Sequence, residues 1–245
     1  MISVVIPARN EEESVITTLE TLREKVTVPY EIIVVNDGST DSTEAVVKRY
    51  AKTNKKVKLV NNLGPKGFAS ALKLGIKIAR GDYLVPIMAD LCDDAATINK
   101  MYKKILEDWD IVCGSRYMKG GKKVGGPKLQ GLLSEFVCRS LRIFTNISTW
   151  DVSNSFKMYR RQIIDSLKFN KKSGVEASME LLFQAYFGGA KIIEIPTTWR
   201  GRSFGRSKFK LLSRTPRYLG IYLWAVENSL RKTIGLQLKP FYQTG

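Results

Sequence analysis

The sequence predicts an α/β domain with a mostly parallel central sheet covered by helices on both faces. Three observations predict it. Strand-like and helix-like segments alternate through residues 1–115. The strand-like segments are short, nearly continuous apolar runs, as expected of strands buried on both sides. Several of them end in acidic or turn-forming residues, at the edge where open parallel sheets bind ligands.

Residues 2–6 read as the first strand. Residues 11–25 fit a helix, with Val15, Leu19 and Leu22 spaced four and three apart. Residues 31–35 form a second strand-like run, and 41–50 a helix behind an Asp/Ser/Thr cap region. A short strand at 57–60 precedes a helix at 67–79, where Ala71, Leu74 and Ile78 share a face. Residues 83–87 are an apolar strand tipped by Asp90, Asp93 and Asp94. A helix at 98–106 and a strand at 111–113 complete the alternating set, which implies right-handed βαβ units.

After Gly114 the texture changes. Residues 119–128 are rich in Gly and Lys and read as a mobile loop. Residues 129–144 look helical, 155–159 and 191–195 strand-like, and 178–187 helical with a stop at Gly188-Gly189. Residues 199–210 are basic and glycine-containing, and 211–230 form an aromatic-rich helix interrupted by Pro216. The expected organisation is one main domain over residues 1–212 with a helical appendage over 213–245.

The 245 residues contain no histidine, which excludes an imidazole base. Cys92, Cys113 and Cys138 are odd in number and lack metal-ligand spacing, so a reducing compartment is expected. Met1 leads straight into a strand, and no apolar run reaches the length of a membrane span. The net charge of +17 is uneven: residues 1–115 hold 16 basic and 16 acidic side chains, residues 116–245 hold 24 and 7. Such asymmetry points to an anionic partner: phosphate, anionic lipid or nucleic acid. No helix-turn-helix, zinc or RNP-like pattern accompanies it, so nucleic acid is not the expected partner.

The strand ends carry the chemistry. Three carboxylates within five residues (Asp90, Asp93, Asp94) suit a hard cation, Mg²⁺ or Mn²⁺, which would hold a diphosphate. The alternative is that Asp93 and Asp94 cap the next helix. Asp37 is placed to accept hydrogen bonds from a base or ribose, whereas Asp41 reads as a helix cap.

Several segments occur in a telling order: Val4-Val5-Ile6-Pro7-Ala8-Arg9-Asn10-Glu11-Glu12, Val34-Val35-Asn36-Asp37-Gly38-Ser39-Thr40-Asp41, Asn62-Leu63-Gly64 with Gly67, Met88-Ala89-Asp90-Leu91 and Gly114-Ser115-Arg116-Tyr117. The later segments are Asp151-Val152-Ser153-Asn154-Ser155-Phe156-Lys157-Met158-Tyr159-Arg160, Glu180-Leu181-Leu182, and Glu194-Ile195-Pro196 through Arg202 to Gly205-Arg206-Ser207-Lys208. Together they resemble glycosyltransferase family 2, and within it the dolichol- or polyprenol-phosphate sugar transferases, over residues 2 to about 212.

The resemblance implies a GT-A fold that binds a nucleotide-sugar donor. By that resemblance Pro7, Ala8, Glu11, Val35 and Asp37 hold the nucleoside, and Asp90, with Asp93, holds the metal. Arg116, Arg202 and Lys208 serve the reacting phosphates, and Lys128, Ser134 and Ser207 the acceptor phosphate. The chain departs from the family pattern twice. Met88 stands where many relatives carry Asp, and Gln130 where mannosyl relatives carry Arg.

The resemblance further implies inverting transfer of a hexose to a polyprenyl phosphate, which is already anionic and needs no base. A hydroxyl acceptor would need one, with Glu176 and Glu180 as candidates. A non-catalytic nucleotide-sugar binder is the remaining alternative. Membrane contact is expected through Lys122, Lys123, Lys128, Arg139 and Arg142. Tyr218, Ile221, Tyr222, Leu223 and Trp224 are expected at headgroup level, with the protein peripheral at the cytoplasmic face.

Overall fold

Six strands point their carboxyl ends to one edge of a seven-stranded sheet, ordered β3-β2-β1-β4-β7-β5-β8. They are β1 (Ile2–Ala8), β2 (Tyr30–Asn36), β3 (Val57–Asn61), β4 (Tyr83–Pro86), β5 (Ile111–Ser115) and β8 (Ile192–Pro196). The seventh, β7 (Lys157–Arg160), runs antiparallel between β4 and β5. The computed structural model describes residues 1–170, 173–202 and 211–241.

The apolar runs become central strands because both faces of the sheet are covered. Val4, Ile6, Ile32 and Val34 face a core closed by α1 (Val15–Lys25), α2 (Thr43–Thr53) and α4 (Thr97–Ile105). Val5, Ile33 and Val35 face the opposite core. That core is closed by α3 (Phe68–Ile78), α5 (Lys128–Thr145), α7 (Ala177–Phe187) and α8 (Leu211–Thr233). The one-residue alternation of a strand thus feeds two separate cores. Gly75 lets α3 lie close on the sheet: a Cβ there would collide with Val5 Cγ1 and come within 3.1 Å of Val35 Cγ2.

Several expectations shift. The first helix begins at Val15, because residues 12–14 are turns braced against the next loop. The Gly/Lys-rich loop contains a strand, β6 (Lys122–Val124), paired in parallel with β9 (Thr198–Arg200) in a separate two-stranded sheet. A short helix, α6 (Arg161–Ser166), follows β7 where the sequence carries no helical period. Pro216 does not interrupt α8: it sits in the second turn, where it removes one N–H donor without ending the helix. The expected headgroup segment largely faces inward. Ile221 is in the core, and Tyr218, Tyr222 and Trp224 pack against it. Trp224 meets Phe187 and Phe241 edge-on at 5.4 and 5.0 Å and donates to the Lys239 carbonyl. Of that set only Leu223 is exposed.

Gly75→Ala is expected to destabilise the fold by about 1–3 kcal/mol, since the stiff Val5 cannot yield without backbone movement. Urea unfolding followed by circular dichroism measures it; an unchanged midpoint would contradict the close helix–sheet contact.

Candidate active site

The chain runs β1, β2, β3 outward and then returns to place β4 on the other side of β1. The β1/β4 boundary is therefore the switch point, where open α/β sheets leave a ligand crevice. Two carboxylates flank it. Glu11 follows β1 and Asp90 follows β4, and both side chains are largely buried.

The loops that carry them are tightly tied. Asn10 adopts a left-handed φ of 53° and bonds the β2 loop through Ser39 and Thr40. The Glu11 amide donates to Thr43 Oγ1 at 2.8 Å. Asp41 is expected as the cap of α2, but Ser42 holds the N-cap position; Asp41, one residue earlier, accepts from the Thr43 amide at 3.0 Å in an Asx turn. Leu91 also has a left-handed φ, 60°, immediately after Asp90. That conformation costs a leucine about 1–2 kcal/mol, and such strain gathers at functional sites.

Both carboxylates converge on one guanidinium. Arg202 meets Glu11 Oε1 and Oε2 at 3.1 Å and Asp90 Oδ2 at 3.1 Å. Burial opposes its charge, but Asp90 and Glu11 outweigh burial and raise its pKa. Arg202 is brought there by β9, whose Trp199 pairs with Asp93 in an isolated backbone bridge and whose Arg200 amide donates to the Cys92 carbonyl at 2.8 Å.

The crevice thus holds a position built for positive charge. Among the described residues no three acidic, cysteine or histidine side chains converge as a complete metal cage. Mg²⁺ commonly takes only one or two carboxylates and completes its shell with water and substrate phosphates. The donor set of Asp90 with Asp93 fits that demand. Asp93 is half-buried beside Asp90, and burial, then repulsion from Asp90, pushes its pKa up to about 7.

The nucleoside candidates line the β1 and β2 ends, with Ala8 and Val35 fully covered and Pro7 partly exposed. Asp37 is already engaged. Oδ1 accepts from Asn62 Nδ2 at 2.7 Å, and Oδ2 from the Gly67 amide at 2.8 Å. It braces the start of α3, and Gly38 beside it turns the chain with a φ of 68°.

Arg116 is turned inward instead of standing free for phosphate. It forms a fork on Asp151, Nε to Oδ2 at 2.7 Å and Nη2 to Oδ1 at 2.8 Å, and Nη2 also donates to Ser153 at 3.0 Å. Asp151 is fully buried and holds Arg116 charged against the opposing effect of burial. Ser134 joins this cluster, its Oγ 3.1 Å from Ser153 Oγ. Lys128 opens α5 as an exposed residue. Ser207 and Lys208 lie outside the described residues.

Asp151, Ser153 and Lys157 lie in a sequence motif that assigns them no role. The structure makes them the frame of the site. Lys157 is wholly buried, donates to the Val152 carbonyl at 3.1 Å and to the Asn154 carbonyl, and has its pKa lowered by burial. Glu194 holds the same loop from β8 through the Trp150 amide at 2.7 Å. The signal was a lysine inside an apolar strand, a residue type that is buried only when its charge is satisfied.

Comparison with known proteins gives the family and the fold. The model of glycosyl transferase family 2 matches residues 3–168. A dolichol-phosphate mannosyltransferase from Pyrococcus furiosus is 32% identical over 218 residues, covering 85% of this chain and 59% of its own length. Glycosyltransferase AglD from Haloferax volcanii is 27% identical, covering 81% of this chain and 33% of its own. The chain therefore spans between a third and three-fifths of these relatives. Among solved structures, glucosyl-3-phosphoglycerate synthase from Mycobacterium tuberculosis with uridine diphosphate superposes with a TM-score of 0.68 at 20% identity, covering 93% of this chain and 80% of that one. The same synthase with Mn²⁺, UDP-glucose and phosphoglyceric acid gives 0.69 over 93% and 80%. That likeness confirms the GT-A-type fold.

Two outcomes follow from the site. Asp151→Ala strands the buried Arg116 charge and is expected to cost about 3–5 kcal/mol in denaturant unfolding; a loss under about 1 kcal/mol would show the pair to be dispensable. Asp93 has a raised folded pKa, so its contribution is present below the unfolded value near 4 and lost as pH rises through about 7. Asp93→Asn should therefore raise the melting temperature at pH 8 by roughly 2–4 °C, about 1 kcal/mol, and leave it unchanged at pH 4.

Proposed function

Because the chain belongs to glycosyl transferase family 2, we propose that it moves a hexose from a GDP- or UDP-sugar to a polyprenyl phosphate at the cytoplasmic membrane face. The observation that carries the reading is the pair of buried carboxylates, Glu11 and Asp90, converging on one cation at the β1/β4 switch point. A nucleoside diphosphate needs positive charge at that spot, and the parallel sheet opens its crevice there.

In this reading Pro7, Ala8, Glu11, Val35 and Asp37 seat the nucleoside. Asp90 with Asp93 would hold Mg²⁺ or Mn²⁺, which supplies charge neutralisation to the diphosphate when bound. Arg202 and Lys208 serve the same diphosphate from the chain after β9. Ser134, Lys128 and Ser207 receive the acceptor phosphate, and Arg116 holds its loop through Asp151. A phosphate oxygen of the acceptor attacks the anomeric carbon. The carbon–oxygen bond to the donor diphosphate breaks, and its electron pair leaves on the nucleoside diphosphate with inversion. No proton has to move, which suits a chain without histidine. Catalysis is then positioning and electrostatic stabilisation of the leaving group.

A hydroxyl acceptor is less well served. Glu176 bonds the Gly174 amide, Arg214 and Arg217, and these offset burial and leave its pKa lowered, the wrong direction for a base. Glu180 is buried and bonded to Ser173 and Gln184.

The test is transfer of label from GDP- and UDP-sugars to a short polyprenyl phosphate, with Mg²⁺ or Mn²⁺ and with chelator. A lipid-linked product that disappears with chelator is expected, and Asp90→Ala should lower kcat/KM at least 100-fold, about 2.7 kcal/mol. Binding of nucleotide sugar without transfer from any donor would overturn the reading.

A further inference from the structure

Strand β6 sends its side chains to different surroundings. Lys122 and Val124 are exposed, whereas Lys123 between them is half-buried, the alternation of a strand. The sequence presents Lys122 and Lys123 as one basic pair, and the pairing of β6 with β9 separates them. Lys123 stands opposite Trp199 in the register, with its ammonium 5.2 Å from the centre of that ring. Its side chain ends against Gly131, in the first turn of α5. A Cβ on Gly131 would lie 2.8 Å from Lys123 Nζ and 3.1 Å from Cε. The missing side chain therefore lets the ammonium rest on the inner side of the helix, the side that also buries Cys138 and Leu141.

No carboxylate neutralises this ammonium. Among the described residues Lys123 Nζ donates to the Gly125 carbonyl at 3.0 Å and forms no ion pair. Burial, then repulsion from Arg116, lowers its pKa. A partly desolvated cation beside a like charge is unfavourable until an anion joins it. Ser134 follows Gly131 by three residues, so the two are neighbours on one helix face, about 5–6 Å apart between Cβ positions. Ser134 Oγ is 3.1 Å from Ser153 Oγ, which accepts from Arg116 Nη2 at 3.0 Å. Lys123, Ser134 and Arg116 thus border one spot under α5. The helix itself brings no cation to it: Gln130, four residues before Ser134, is neutral, and Lys128 is exposed.

We infer that Lys123 supplies the positive charge of the acceptor-phosphate subsite, entering from β6 where Gln130 offers none. This deepens the proposed transfer to a lipid phosphate and rests on that reading. A phosphate monoester carries a charge of about −1.5 to −2 at pH 7 and three acceptor oxygens. One oxygen would accept from the Lys123 ammonium and another from the Ser134 hydroxyl, and charge-assisted bonds of this kind are the strong ones. The incoming charge would also offset the repulsion between Lys123 and Arg116. A polyprenyl alcohol brings no such charge, so Lys123 makes the subsite select phosphate over hydroxyl.

The test is calorimetric titration of the full chain with farnesyl phosphate and with farnesol. The parent should bind the phosphate and discriminate against the alcohol. Lys123→Gln should weaken farnesyl phosphate at least tenfold, about 1.4 kcal/mol, and Lys123→Arg, which keeps the charge, should retain binding. Lys122→Gln, altered on the outer side of the same strand, is the control and should bind as the parent does. Gly131→Ala keeps the lysine but displaces its ammonium. It should weaken farnesyl phosphate as well, with a melting temperature no lower than the parent's, because alanine is the better helix former. Nucleotide-sugar binding should be unchanged in every variant. Equal farnesyl phosphate binding by parent and Lys123→Gln, or no binding by the parent, would overturn the inference. So would a parallel loss of nucleotide-sugar binding, since Lys123 would then serve the donor or the fold. If Lys123→Gln melts early, undiminished phosphate binding by Gly131→Ala overturns it instead. Transfer with an unchanged acceptor KM in Lys123→Gln removes only this inference. Lys123-dependent phosphate binding without transfer from any donor removes only the proposed reaction.

Discussion

Two buried carboxylates at one switch point need a cation, and much of the site is arranged around that need. Glu11 and Asp90 come from strands adjacent in the sheet but 79 positions apart in the chain. Leaving them together without positive charge in a partly desolvated crevice would be costly. Arg202 meets the requirement in this structure. To bring it there, β9 folds back across the site, bonds the Cys92–Asp93 segment and pairs with β6. The basic second half is thereby tied to the neutral first half at the point where a diphosphate would carry its charge.

A second pairing sets the far wall. Arg116 and Asp151 form a buried fork at the end of β5, and Lys157 and Glu194 hold the intervening loop by its backbone. A buried ion pair is weak evidence for stability in itself, but its geometry is specific. Here it aligns Ser153 and Ser134, so that α5 is positioned relative to the sheet by a polar cluster as well as by Cys138 and Leu141.

Much of the fold was legible because its signals are local. Apolar runs at β1, β2 and β4 became central strands, and the spacing of Val15, Leu19 and Leu22 became the buried face of α1. Boundaries moved where side chains compete with the backbone, as at residues 12–14. β6 was hidden because its pairing with β9 is long-range and short strands have little period of their own. The aromatic run after Pro216 reads as an interfacial helix in sequence, yet the period of α8 turns Ile221 and Trp224 inward and leaves Leu219, Leu223 and Leu230 outside.

The α/β class, the family, the acid-tipped strand and the charge asymmetry are all readable along the chain. Each of these is written in composition, period or contiguous motif. Which charges meet is settled by folding alone. It gave Arg202 to Glu11 and Asp90, closed Arg116 on Asp151, and engaged both oxygens of Asp37 within the protein. The physical reason is that partners in a charge pair or a core are chosen by distance in space. The sheet order that sets those distances brings together residues far apart along the chain.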